Sequence, residues 1–89
     1  MKKDAYDIYS ICDYYKQGPV SVANEVRYKK DIKSVREGLE AIRERFRSPE
    51  AEGPSWVVNF MVISDEKEKQ ERKQRSFMVV DEMLRILGI

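Results

Sequence analysis

The sequence predicts an all-α protein, a small single domain of about five helices that ends in a long charged C-terminal helix. Three observations carry that expectation. Apolar residues recur three and four apart along most of the 89 residues. Gly18-Pro19, Gly53-Pro54 and Gly88 punctuate those stretches. Only one run, Trp56 to Ile63, has the β-branched and aromatic composition of a strand. With no second run to pair with, a lone strand would leave its backbone groups unpaired, so a short buried helix is the better reading.

The first helix is expected over residues 4–17. Ala5, Ile8, Ile11, Cys12 and Tyr15 share one face, with Tyr9 at its edge. Asp4 suits the N-cap and Asp7 the positive end of the helix dipole. Were the helix to start earlier, Asp4 would join the face of Ile8, Ile11 and Tyr15, where a carboxylate needs a partner. Gly18-Pro19 stops the helix, and a second follows over residues 19–28 with Val20, Ala23 and Val26 inward.

Asp31 reads as the cap of a third helix, residues 31–47, with Ile32, Val35, Leu39, Ile42 and Phe46 as its apolar stripe. Lys33/Glu37 and Arg36/Glu40 are spaced as i,i+4 pairs, each contributing ~0.3 kcal/mol. Residues 48–55 read as a loop, and a fourth helix is expected over 55–63. The fifth spans 65–87 in two unlike halves. Residues 65–76 are polar all round, with Asp65/Lys69, Glu68/Arg72 and Glu71/Arg75 in i,i+4 register. Beyond them Phe77, Val80, Leu84 and Leu87 form an apolar face, and Gly88 ends the helix. The polar half therefore bridges solvent or meets something outside this chain.

Composition narrows the function classes. Apolar residues make up 42% and charged ones 37%, but 17 basic and 16 acidic side chains leave a net charge of only +1. That balance describes helices with mixed-charge solvent faces and gives no general reason to expect nucleic acid as a partner. The chain lacks histidine, which removes His-containing metal sites and Ser-His or Cys-His nucleophile pairs. Cys12 is the only cysteine and lies on an apolar face, so a small core residue in a reducing, cytoplasmic setting is expected. No apolar run reaches the ~18 residues of a membrane span, so no membrane partner is expected.

Several clusters admit two readings. Asp4 and Asp7, three apart on a helix, could act as general base or metal ligand; cap and dipole partner is favoured. Four of the five tyrosines fall within residues 6–15. With Lys2, Lys3 and Lys16 they could stack nucleobases, though amphipathic core-edge positions suit them better. Arg36, Arg43, Arg45 and Arg47 could bind phosphate. Interleaved with Glu37, Glu40 and Glu44, they read as a solvated face. Residues 65–75 fit a single helical arm with paired charges or a partner-docking helix.

The stretch Lys3-Asp4-Ala5-Tyr6-Asp7-Ile8-Tyr9 resembles a segment of AbiEii-type nucleotidyltransferase-like proteins, a toxin and abortive-infection family. There a Lys-Asp, an apolar or aromatic pair, then Asp and Leu or Ile follow the catalytic core and open an all-helical C-terminal part. Gly18-Pro19, Phe46-Arg47-Ser48, Gly53-Pro54 and Phe60 are similar to the tail of one subgroup. The resemblance implies that Lys3, Asp4 and Asp7 match the family's late catalytic motif, with Asp4 as the aspartate that assists transfer. The family's core also carries a Gly-Ser pair and a paired-carboxylate metal motif. This chain has no Gly-Ser dipeptide and no two aspartates two apart. The implied role is then a truncated or split helical remainder that is not catalytic alone and has no cofactor of its own. Mg²⁺ would enter only on assembly with a separately encoded nucleotidyltransferase domain. The alternative is an independent helical interaction module that forms a homo-oligomer through residues 65–75.

Overall fold

The computed structural model describes residues 2–15 and 18–89, and all regular structure among them is helical, as the periodicity predicts. The chain runs α1 (Lys2–Tyr14), α2 (Pro19–Val26), a 3₁₀ turn (Arg27–Lys29), α3 (Lys33–Arg45), α4 (Glu52–Phe60) and α5 (Glu66–Leu87). The expected extension of the first helix over Lys16 and Gln17 lies outside the described residues.

α1 begins earlier than its capping chemistry suggests. With Lys2 already helical, Asp4 sits inside the first turn and is not the N-cap. Its charge still lies near the positive end of the dipole. Asp31 is not a cap either: α3 starts after Ile32, and Asp31 lies 3.7 Å from Arg36 in an exposed ion pair. The expected loop over 48–55 is shorter, because Gly53 and Pro54 belong to the first turn of α4. Proline is tolerated there, since a first-turn amide has no helical acceptor to lose.

The C-termini of α4 and α5 are built alike. The amide of Ile63 donates to the Val58 carbonyl at 3.3 Å, and that of Ile89 to the Leu84 carbonyl at 2.9 Å. Each closure passes through a residue with positive φ, Val62 at 56° and Gly88 at 76°. At the other end of α5, Asp65 caps the helix by accepting from the Glu68 amide at 2.9 Å.

α1 packs most extensively on α4, and α5 lies against α1, α2 and α4; α3 touches α4 and α5 more lightly. Tyr9, Phe46, Val57, Val80, Leu84 and Leu87 fill the centre. This core rotates α1 from its expected setting. Ala5, Tyr9 and Cys12 are buried, whereas Ile11 is 51% exposed and Tyr15 40%. Tyr9 is the centre of the buried stripe, not its edge. Val20 of α2 and Ile32 before α3 also face outward, and on α5 Ser76, Val79 and Met83 join Val80, Leu84 and Leu87 inside.

Gly53 holds the α3–α4 corner together. A Cβ there would come within 2.6 Å of the Phe46 ring and 2.8 Å of the Arg45 carbonyl oxygen. Arg43 ties α3 to the end of α5: it donates to Asp81 at 2.6 Å and to the Ile89 carbonyl at 3.1 Å. It is a half-buried fold contact, not part of a solvated arginine face.

Candidate functional site

The three residues that the resemblance picks out sit together on the first two turns of α1 but do different things. The Lys3 ammonium donates to the Asp7 carboxylate at 2.9 Å, an exposed i,i+4 ion pair. That bond raises the Lys3 pKa above its ordinary value. Asp4 instead lines a cavity on another side of the helix. Among the described residues no three His, Cys, Asp or Glu side chains converge as metal ligands do.

That cavity is a groove of about 220 Å³ between α1 and α3. Asp4, Ala5 and Ile8 form one wall, Ala41, Ile42 and Arg45 the other, with Phe46 and Trp56 completing it. Most of the lining is apolar; Asp4 and Arg45 are the charged residues on opposite walls. The Arg45 guanidinium lies 5.4 Å from the Trp56 ring centroid, a cation–π arrangement, and donates to Glu52 at 3.3 Å. Arg47 reaches the other Glu52 oxygen at 3.0 Å. The Glu52 carboxyl is held below its ordinary pKa by its own backbone amide at the start of α4, and then by Arg47 and Arg45. Arg45 is thus held in place by Glu52 and Trp56.

The opposite flank of α1 carries a second cluster, in an open cleft of about 310 Å³ bordered by Tyr9, Asp13, Tyr14, Glu68, Glu71, Arg72 and Arg75. Arg72 donates to the Tyr9 hydroxyl at 2.9 Å, and Arg75 Nε donates to Asp13 Oδ1 at 3.2 Å. Burial drives the Tyr9 phenol pKa up, assisted by hydrogen bonds to Tyr14 and Asp13 and opposed by Arg72. Burial alone would raise the Asp13 carboxyl, but hydrogen bonds from Arg75 and Tyr9 and the charges of Arg75 and Arg72 outweigh it, leaving the pKa lowered. The cluster is a closed circuit of protonated phenol, carboxylate and guanidinium groups. The Tyr9 hydroxyl is therefore no phenolate nucleophile at neutral pH.

These bonds revise part of one expectation, although most of residues 65–75 are exposed to solvent as that expectation allows. The sequence predicts that the polar half of α5 bridges solvent or meets something outside the chain, with Glu68/Arg72 and Glu71/Arg75 paired along it. Arg72 and Arg75 instead cross to α1 of the same chain. Tyr9 and Asp13 four apart on one helix, and Arg72 and Arg75 three apart on another, form a signal that helix-internal pairing obscures. Cys12 is buried beside this cluster, its thiol pushed up to about 12 by burial and then by the Asp13 charge. Such a thiol is unreactive.

No protein-family model matches the chain, and no curated protein and no solved structure matches it either. Among the described residues no helix is long and apolar enough to cross a membrane.

Proposed function

We propose that this chain is a non-catalytic helical docking module whose α1–α3 groove receives apolar side chains of a protein partner. One observation carries the reading: an open, mostly apolar groove between α1 and α3, with Ile8, Ile42, Phe46 and Trp56 in its lining. Grooves of this kind between two helices accept the apolar face of a third. The resemblance at Lys3–Tyr9 supports one partner class, a separately encoded nucleotidyltransferase domain, which would meet the wall bearing Asp4. The Mg²⁺ and the transfer chemistry would then belong to that domain. An adjoining reading frame encoding Gly-Ser and Asp-x-Asp motifs would strengthen that part, and unrelated sequence there would remove it.

The groove itself can be tested without a partner. Trp56 is the only tryptophan and lines the cavity. Dilute protein is titrated with the apolar dye anilinonaphthalene sulfonate while energy transfer from Trp56 is followed. Saturable transfer that Ala41→Arg abolishes is expected. Dye uptake unaffected by Ala41→Arg, or none at all, removes the docking reading.

A further inference from the structure

Four of the five tyrosines fall within residues 6–15, and three of these are engaged by other rings. Tyr9 is buried, Tyr6 lies against Phe60 with centroids 4.9 Å apart, and Tyr14 stands edge-on to Tyr9 at 6.1 Å. Tyr28, the fifth, sits on the 3₁₀ turn after α2 and is 89% exposed. Among the described residues no other ring or cation stacks against it. Its ring contributes little to the core, and its apolar surface is open to a ligand.

The chain's net charge of +1 conceals a local excess around that ring. Within residues 27–36, Arg27, Lys29, Lys30, Lys33 and Arg36 are basic and only Asp31 is acidic, with Glu25 and Glu37 flanking them. Among the described residues Arg27 and Lys29 form no ion pair. Arg36 meets Asp31 at 3.7 Å and Lys33 meets Glu37 at 4.0 Å. Both pairs are exposed, so each holds its cation weakly and a phosphate can take the carboxylate's place. Lys30 is spent on the Leu87 carbonyl at 3.1 Å. The Ile32 amide donates to the Lys29 carbonyl at 3.0 Å, folding these residues into one corner before α3. No residue between Ala23 and Leu39 is buried, so the corner stands clear of the core.

We infer that this corner binds single-stranded nucleic acid, with Tyr28 as the stacking platform and Arg27, Lys29, Lys33 and Arg36 as phosphate contacts. The site is independent of the α1–α3 groove. Stacking on an aromatic ring and neutralisation of the backbone by nearby cations are the two terms by which unpaired strands are held. An anionic bilayer is the competing partner, and the corner suits it less well. A planar surface would also meet Asp31, whose side chain is 89% exposed at the same corner. It would have only Tyr28 and the half-exposed Ile32 to insert, little for an interfacial anchor. A strand can run past the carboxylate and still place a base on the ring. Duplex bases are already stacked on each other, so a duplex forgoes that contact.

Fluorescence anisotropy of a labelled oligothymidylate of about ten nucleotides, titrated with the full chain over a salt series, tests this. Binding is expected at low salt with a Kd of roughly 10–100 μM. The logarithm of the association constant should fall linearly with that of salt, with a slope between about −1.5 and −3 for two to four phosphate contacts. Tyr28→Ala should weaken binding at least about fivefold and leave the slope unchanged. Tyr28→Phe should bind as wild type does. Lys29→Gln should flatten the slope by ~0.7, the share of one phosphate. Tyr28 and Lys29 are exposed, so circular dichroism spectra should not change in any of these variants. Absence of binding at low salt overturns the inference, as does a salt-independent affinity. So does an affinity that Tyr28→Ala leaves intact, or a duplex of matching length held as tightly as the single strand. Vesicles containing phosphatidylserine that retain the chain while the oligonucleotide does not would move the corner to a lipid surface and overturn it too.

Discussion

On one flank of α1, Tyr9 and Asp13 meet Arg72 and Arg75 of α5; on the other, Asp4 and Ile8 face Ala41 and Arg45 of α3 across open space. The first flank is richer in polar groups and looks, as a list of residues, more like an active site. Yet each of those groups is answered within the chain, and the pKa directions of Tyr9 and Asp13 keep the phenol protonated and the carboxylate charged. The second flank is mostly apolar, and none of the described residues fills it. A satisfied polar cluster fixes the position of a helix. An unfilled apolar groove leaves area from which another molecule can gain. The contrast sets a satisfied seam on one side of α1 against an open groove on the other.

The closed flank should give the largest loss when broken. Tyr9→Ala removes a fully buried ring and the acceptor for Arg72, and should cost about 3–5 kcal/mol in urea unfolding. Tyr9→Phe keeps the ring and removes the hydroxyl that bonds Arg72 and Asp13, for about 1–2 kcal/mol. A Tyr9→Ala loss below about 1 kcal/mol would show that α1 does not depend on this seam.

Gly53→Ala attacks the base of the open flank. Its Cβ would meet the Phe46 ring and the Arg45 carbonyl, which belong to the groove's floor and wall. The ring can give way but the backbone oxygen cannot do so without moving the end of α3. A loss of about 1–3 kcal/mol is expected, together with weaker dye binding. Unchanged stability would mean that the corner is looser than its contacts indicate.

Acid should loosen the closed flank first. The folded Asp13 carboxyl titrates below its ordinary value of 3.8. Its contribution is therefore complete above the unfolded carboxyl range near ~3.9 and is lost as pH falls through the lower folded value. Asp13 is only 7% exposed but Arg75 is 57% exposed, so solvent screening limits the contribution to about 1 kcal/mol. Asp13→Asn should fall below wild type by that amount at pH 7 and converge with it as pH falls through the lowered folded value. Parallel stability curves for the two proteins across that interval would rule out the ion pair as the source.

How much of this was legible in the residues follows from the range of each interaction. The all-α class rests on local spacing and punctuation, and neighbouring residues carry both. The rotation of α1 does not: Ile8, Ile11 and Tyr15 form as good a stripe as Ala5, Tyr9 and Cys12, and only the positions of α4 and α5 choose between them. Arg72 and Arg75 were hidden for a similar reason, since an arginine with a glutamate four residues away has a sufficient partner on its own helix. The groove was legible only as the possibility that Asp4 shares a face with Ile8 and Ile11. Val62 shows local chemistry overridden. Its position asks for glycine, as Gly88 shows at the matching place in α5. Val62→Gly should therefore stabilise by about 1 kcal/mol while changing neither the acid transition of the closed flank nor dye uptake by the open one, which makes it the control for both.

The smallest effect on folding belongs to the open flank and separates the two sides most sharply. Ala41 is exposed at the groove wall, and arginine is nearly as good a helix former as alanine. Ala41→Arg should therefore leave unfolding free energy within about 0.5 kcal/mol of wild type. The same substitution puts a long charged side chain at the groove wall, so dye transfer from Trp56 should be lost. Asp13, on the closed flank of α1, is thus expected to matter to stability and not to dye uptake, and Ala41, on α3 across the open flank, the reverse. If Ala41→Arg instead destabilised the fold by as much as Tyr9→Phe, the α1–α3 contact would be part of the core and the distinction between the flanks would be lost.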